Sequence, residues 1–235
     1  MTLLHVSEDS TPSATRNRME EFEADELRGV DVSPVITSGD PAARIVEFAE
    51  REGCDLIVMP THGYGPVHRF VLGSVTAKVL ESVKCPVWTV ATSTWESSAA
   101  AVKHVLCGAY FDPSTSNTIR WAALFADAFG ASLSVLSVLP PTPPNDVPES
   151  FVSDWNEGAL PGLESRLKGL VQELGVKADI LVDQGDTAMI LLNVARSKKA
   201  DLLVIVRRNG KSGQGRFGGN TYALIRHSPC PVVSV

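Results

Sequence analysis

One stretch of the chain alternates so clearly between strand and helix patterns that the other segments can be placed relative to it. Residues 55–90 read DLIVMPTHGYGPVHRFVLGSVTAKVLESVKCPVWTV. Leu56–Met59 is a short unbroken apolar run, which is typical of a parallel strand buried on both faces. A loop follows, then an apolar helical stripe that opens at Gly73-Ser74, and then a second strand over Val87–Val90. The stretch predicts strand, loop, helix, strand and therefore an α/β fold.

The glycines of this loop have a spacing that is suited to binding an anion. Gly63 and Gly73 are separated by nine residues, and Ser74 follows directly. A glycine loop ahead of a helix presents backbone N–H groups at the positive end of the helix dipole. A second interpretation is structural, because glycines permit turns and a serine can cap a helix. Both interpretations stay open on the residues alone.

The same pattern returns towards the C-terminus. DLIVMP, which begins at Asp55, is mirrored by DLLVIV from Asp201, and CPVWTV is mirrored by CPVVSV. Between the copies, residues 91–101 are small and polar, which is typical of an interdomain linker. We therefore expect two tandem domains, at residues 1–95 and 102–235.

The loop resembles the signature of the universal stress protein family, in which Gly-x2-Gly-x9-Gly-Ser/Thr lies between strands 4 and 5. Gly63, Gly73 and Ser74 match this signature, whereas Pro60 stands where the family has its first glycine. Proline has a fixed φ and no N–H, so one backbone donor is lost there. The resemblance extends into GDPAARIVEFAEREGCDLIVM before the loop and GSVTAKVLESVKCPV after it.

The resemblance implies two tandem Rossmann-like open parallel sheets of the adenine nucleotide alpha hydrolase type, with strand order 3-2-1-4-5. Thr2–Val6 is similar to family strand 2, so the first copy is expected to lack strand 1 and helix 1. Because strand 1 is central, we expect a gap in the first sheet, a borrowed strand or a truncated reading frame. Val105–Ala109 is similar to strand 1 of the second copy. Tyr110 stands where the family has a nucleotide-contacting aspartate, and Asp112 follows two positions later.

The resemblance also implies ATP as the ligand of the first domain, with Mg²⁺ only as its companion. Val6 and Met59 would line the adenine side, Gly63 the phosphates, and Ser74 with Val75 the phosphate oxygens at the helix start. The full set of implied binding residues is Val6, Met59, Pro60, His62, Gly63, Gly73, Ser74 and Val75.

The corresponding loop of the second copy has lost this phosphate pattern. Gly218 and Gly219 stand where the first copy has Gly73 and Ser74. A P-loop would need a glycine five residues before Gly210, and a dinucleotide fold would need a further βαβ half. The loop is basic, and it is either a solvated segment or a dock for an anion or an acidic partner segment. Its basic residues are Arg207, Arg208, Lys211 and Arg216.

Composition narrows the classes of function. A net charge of −6 argues against nonspecific nucleic-acid binding. No apolar run has the length of a membrane span and the N-terminus lacks signal-peptide features, so we expect a cytoplasmic protein. The four cysteines form no C-x-x-C pair and are expected to be reduced packing residues. No catalytic or metal-binding arrangement has a supporting motif, so we do not expect an enzyme.

These patterns lead to one expected function and two alternatives. The first is a noncatalytic stress-response protein that binds ATP in its first domain. The second is a nucleotide-free dimerisation or scaffold module that engages protein partners, and the third is a slow ATPase. We also expect the two strand 5 segments, Val87–Val90 and Val232–Val235, to pair as an intramolecular pseudo-dimer, as in the dimers of the family.

Overall fold

The computed structural model describes residues 1–7, 16–17, 19–22, 27–61, 72–90, 101–110, 112–140, 149–207 and 219–235. Within helices, the side chains of residues 149–158 and 219–220 lie outside this description. The predicted α/β class is confirmed, because strands and helices alternate along both halves of the sequence.

Nine strands and six helices have defined bounds within the described residues. The first half of the sequence contains β1 (Thr2–Ser7), β2 (Ser33–Ser38), α1 (Pro41–Glu52), β3 (Ile57–Pro60), α2 (Ser74–Ser82) and β4 (Val87–Val90). The second half contains β5 (His104–Ala109), α3 (Thr115–Phe129), β6 (Ser132–Leu139), α4 (Glu149–Glu173), β7 (Asp179–Gln184), α5 (Thr187–Ser197), β8 (Leu202–Ile205), α6 (Gly219–His227) and β9 (Val232–Ser234).

The chain divides into two compact units. Unit 1 comprises Met1–Asp55 and Ser74–Cys85, and unit 2 comprises Leu56–Gly73 and Pro86–Val235. These units are drawn from spatial contacts, whereas the domains at 1–95 and 102–235 were drawn from the sequence repeat. The repeat-based boundaries therefore stay a prediction.

Unit 1 has a small parallel sheet, the helices α1 and α2, and further helical residues at 16–17 and 19–22. β1 pairs with β2 over their whole length, from Thr2 opposite Ser33 to Ser7 opposite Ser38. Helix α1 packs against β1 and against α2. Asp40 and Pro41 set the start of α1, since the Asp40 carboxylate accepts a hydrogen bond of 2.9 Å from Ala43 N and Pro41 is the first helical residue.

Unit 2 is organised around one seven-stranded sheet with the order β3-β4-β9-β8-β5-β6-β7. All neighbouring strands are parallel except β4 and β9, which are antiparallel. The five strands of the second half have the order β7-β6-β5-β8-β9. Numbered within that half, this is the order 3-2-1-4-5 that the resemblance predicts.

Helices cover both faces of the second-half strands. On one face, a core cluster joins alternate residues of β5, β6 and β8 to α3 and α4; it includes Val105, Cys107, Ile119, Phe125, Val135, Leu167 and Val204. On the other face, α5 approaches the sheet so closely that a Cβ on Gly108 would lie 3.2 Å from Leu191. Burial on both faces explains the nearly unbroken apolar runs of these strands.

The strands of the first half fall into two separate sheets, which agrees with the expected gap. β1 and β2 form the two-stranded sheet, whereas β3 and β4 belong to the seven-stranded sheet. In the second half, β6 and β8 correspond to β1 and β3 of the first half, and β5 lies between them and joins them. Among the described strands of the first half, none joins β1 to β3.

Candidate functional site

The residues implied as an ATP site are distributed over both units. Val6 lies near the end of β1 in unit 1, and Ser74 and Val75 open α2 in the same unit. Met59 and Pro60 are the last two residues of β3 in unit 2. Gly73 belongs to the same unit. His62 and Gly63 lie outside the described residues, so their predicted part in the site is not tested.

A hydrogen bond closes the base of the glycine loop within unit 2. Gly73 N donates to Thr61 O at 2.8 Å, and Thr61 N donates to Val90 O at 3.0 Å. The two ends of the loop are therefore fixed to each other and to β4. In this conformation the N–H of Gly73 is used inside the protein, so the bond to Thr61 would have to open before Gly73 could donate to a phosphate.

Thr61 is the residue of this region that the sequence did not single out. It is 5% exposed, and it connects β3, β4 and Gly73 through its backbone. The sequence signal that could have identified Thr61 is its position. Thr61 is the first residue after β3, and it corresponds to Arg207 in the second copy. Arg207 N makes the equivalent bond, donating to Val235 O at 2.7 Å.

The position of Pro60 explains why the strand tolerates proline. Ile57 N donates to Pro86 O and Thr61 N donates to Val90 O, so odd-numbered residues of β3 face β4. N–H groups alternate along a strand, and the position of Pro60 therefore faces the outer edge. No bond to β4 is lost through the missing N–H, as is usual for proline on edge strands.

In the second half, the residues that follow β5 form a turn that leads into α3. The Asp112 carboxylate accepts hydrogen bonds from the backbone N–H of Ser114, at 2.9 Å, and from the Ser114 hydroxyl. Asp112 N in turn donates to Thr115 Oγ1 at 2.9 Å. These contacts give Asp112 a structural role in the turn that leads into α3.

The antiparallel contact between β4 and β9 is locally symmetrical. Trp88 lies opposite Val233, its counterpart in the repeat. Thr89 Oγ1 donates to Val232 O at 3.1 Å, and Ser234 Oγ donates to Val87 O at 3.4 Å. Since Thr89 corresponds to Ser234 and Val87 to Val232, the two bonds are equivalent under a local twofold rotation.

Aromatic packing adds to this contact on one face of the sheet. The Trp88 ring meets the Phe125 ring edge-on at a centroid distance of 5.4 Å and the Phe129 ring at 6.1 Å. Trp88 belongs to the first sequence half, and both phenylalanines belong to α3. Burial of aromatic surface thus joins the two copies in addition to the strand hydrogen bonds.

All four cysteines are thiols and not halves of a disulfide. Cys107 and Cys230 are buried, whereas Cys54 and Cys85 are partly exposed. Burial raises the pKa of the Cys107 thiol to about 12 and that of Cys230 to about 11. Both therefore remain protonated and weakly reactive near neutral pH. Within the described part of the chain, no group of three or more His, Cys, Asp or Glu residues could hold a metal ion.

Unit 1 contains an open groove of about 830 Å³ between α1 and α2. None of the implied ATP-binding residues that the structure describes lines it. Its polar residues include Asp40, Glu47, Glu50, Arg51, Lys78 and Glu81. The backbone N–H of Ala43 lowers the pKa of the Asp40 carboxyl, and Lys78, whose Nζ lies 3.4 Å from Asp40 Oδ2, lowers it further.

The profile of the Universal stress protein family matches residues 1–91 and 101–235. The chain belongs to the universal stress protein family. The two matched segments correspond to the two copies of the strand, loop, helix and strand pattern. In this universal stress protein, the first copy has an interrupted sheet and the second copy a complete one.

Curated universal stress proteins match shorter stretches. The chain is 45% identical over 62 residues to universal stress protein MJ0531 of Methanocaldococcus jannaschii, covering 26% of this chain and 36% of that protein. It is 38% identical over 76 residues to MJ0577 of the same organism, covering 32% of this chain and 47% of that protein. The matched stretches thus span less than half the length of these two relatives.

Solved structures resemble the whole chain in fold. The protein PA1789 from Pseudomonas aeruginosa PAO1 has a TM-score of 0.74 and 20% identity, with coverage of 100% of this chain and 81% of that one. A universal stress protein from Archaeoglobus fulgidus DSM 4304 has a TM-score of 0.62 and 18% identity, with coverage of 96% and 80%. In the described helices of this chain, none is both long enough and apolar enough to cross a membrane.

Proposed function

We propose that this universal stress protein is a noncatalytic, cytoplasmic stress-response protein that binds ATP, with Mg²⁺ as its companion, at the glycine loop of its first half. The observation that carries the proposal is the hydrogen bond from Gly73 N to Thr61 O. It joins the two ends of the loop to each other at the end of β3. Strand ends and helix N-termini are where α/β proteins commonly hold phosphates.

The β4–β9 contact supports a second part of the proposal. We infer that the two halves act as an intramolecular pseudo-dimer, in which each copy supplies an equivalent strand. The paired bonds from Thr89 and Ser234 support this inference, since one local rotation relates them. In this arrangement the second copy, which lacks the phosphate pattern, serves to support the first.

Titration of the full chain with ATP and Mg²⁺ tests nucleotide binding. We expect saturable heat in calorimetry and a rise in melting temperature at millimolar ATP, because a ligand that binds only the folded state stabilises it. No heat and no thermal shift would reject ATP binding. Phosphate release above that of buffer alone would instead favour the ATPase.

A substitution in the glycine loop tests whether ATP binds at this site. Gly73→Val is expected to abolish ATP binding, because its side chain would occupy the approach to the phosphates. Gly169→Ala is the matched control, since an added Cβ meets nothing within 4 Å there. Melting curves without ligand separate lost binding from lost folding, and unchanged affinity in folded Gly73→Val would refute the assignment to this loop.

The nucleotide-free scaffold is the second candidate, and specific observations favour it. Pro60 lacks a donor, and the N–H of Gly73 is already engaged. The seven-stranded sheet, by contrast, is continuous through the β4–β9 contact, to which both copies contribute a strand. If ATP fails to bind while the protein captures a defined partner protein, the scaffold function replaces the first proposal.

A further inference from the structure

We draw no further inference here: the strongest candidate, the exposed basic corner of unit 2 where Arg196 and Lys198 at the end of α5 lie beside Arg226 and His227 at the end of α6, carries nothing, because basic side chains are favourable at any helix C-terminus and nothing in the described part of the chain shows what would cover it.

Discussion

At the scale of single residues, buried hydroxyl groups stabilise the contact between the two sequence halves. Thr89 is 1% exposed and Ser234 is 0% exposed, and each donates to a carbonyl on the opposite strand. A buried hydrogen bond contributes about 0.5–1.5 kcal/mol net. These two side chains were not predicted as functional, because their role depends on the antiparallel register of two strands that are distant in sequence.

Removing one hydroxyl group should weaken the fold measurably. Thr89→Val keeps the branched shape and loses the bond to Val232 O, so we expect the free energy of unfolding to fall by about 1 kcal/mol. Ser132→Ala is the control, since its bond to Lys103 O, of 3.1 Å, is exposed and should contribute less than about 0.5 kcal/mol. Urea unfolding measures both, and equal effects would argue against a special role for the buried bond.

The thiol pKa values predict a pattern of chemical labelling. The thiolate is the reactive form, and burial keeps Cys107 protonated to about pH 12 and Cys230 to about pH 11. Iodoacetamide at pH 8 should therefore modify only Cys54 and Cys85 in the native protein, and all four cysteines after denaturation. Mass spectrometry of digested protein gives the answer. Rapid native labelling of Cys107 would contradict its burial.

At the scale of elements, aspartate caps start two corresponding helices of the repeat. Asp40 caps α1. Its counterpart Asp186 accepts from Met189 N at 2.8 Å and caps α5 in the same way. Helix α4, by contrast, begins at Glu149 and continues through Pro161. Proline usually interrupts a helix, but buried Leu163, Leu167 and Val171 hold this helix against the sheet.

Two glycines should respond to alanine with opposite signs. Gly169 in α4 is exposed with open space around it, so Gly169→Ala should stabilise the protein by about 0.5–1 kcal/mol. Gly108 in β5 lies under α5, where a Cβ would be 3.2 Å from Leu191 and 3.5 Å from Ile205. Gly108→Ala should therefore destabilise by about 1–3 kcal/mol. Thermal unfolding measures both, and a stabilising Gly108→Ala would show that α5 can move away.

At the scale of the whole molecule, the repeat was read correctly from sequence, and the sheet was predicted only in part. The order of the second half and the interrupted first sheet follow from the resemblance. The engagement of Gly73 by Thr61 could not be inferred, because it depends on how the loop closes in space. β3 and β4 join the strands of the second half because β4 pairs with β9. The intramolecular pseudo-dimer expected from the two strand 5 segments stays a prediction.

The shared sheet makes the first half dependent on the second. A fragment of residues 1–95 retains β3 and β4 but loses β9, and two strands alone are marginally stable in water. We expect this fragment to be largely unfolded by circular dichroism. A fragment of residues 102–235 retains five adjacent strands and helices on both faces, and it should fold. A cooperative melting transition of the isolated 1–95 fragment would disprove this dependence.

The β4–β9 pairing also sets an order of events during protein synthesis. Thr89 and its partner Val232 are separated by 143 residues. At about 5–20 residues per second, the ribosome needs roughly ten seconds to make the intervening chain. During that time β3 and β4 have emerged with both outer edges exposed. The nascent chain therefore passes through a prolonged stage at which a chaperone would have a strand edge to shield.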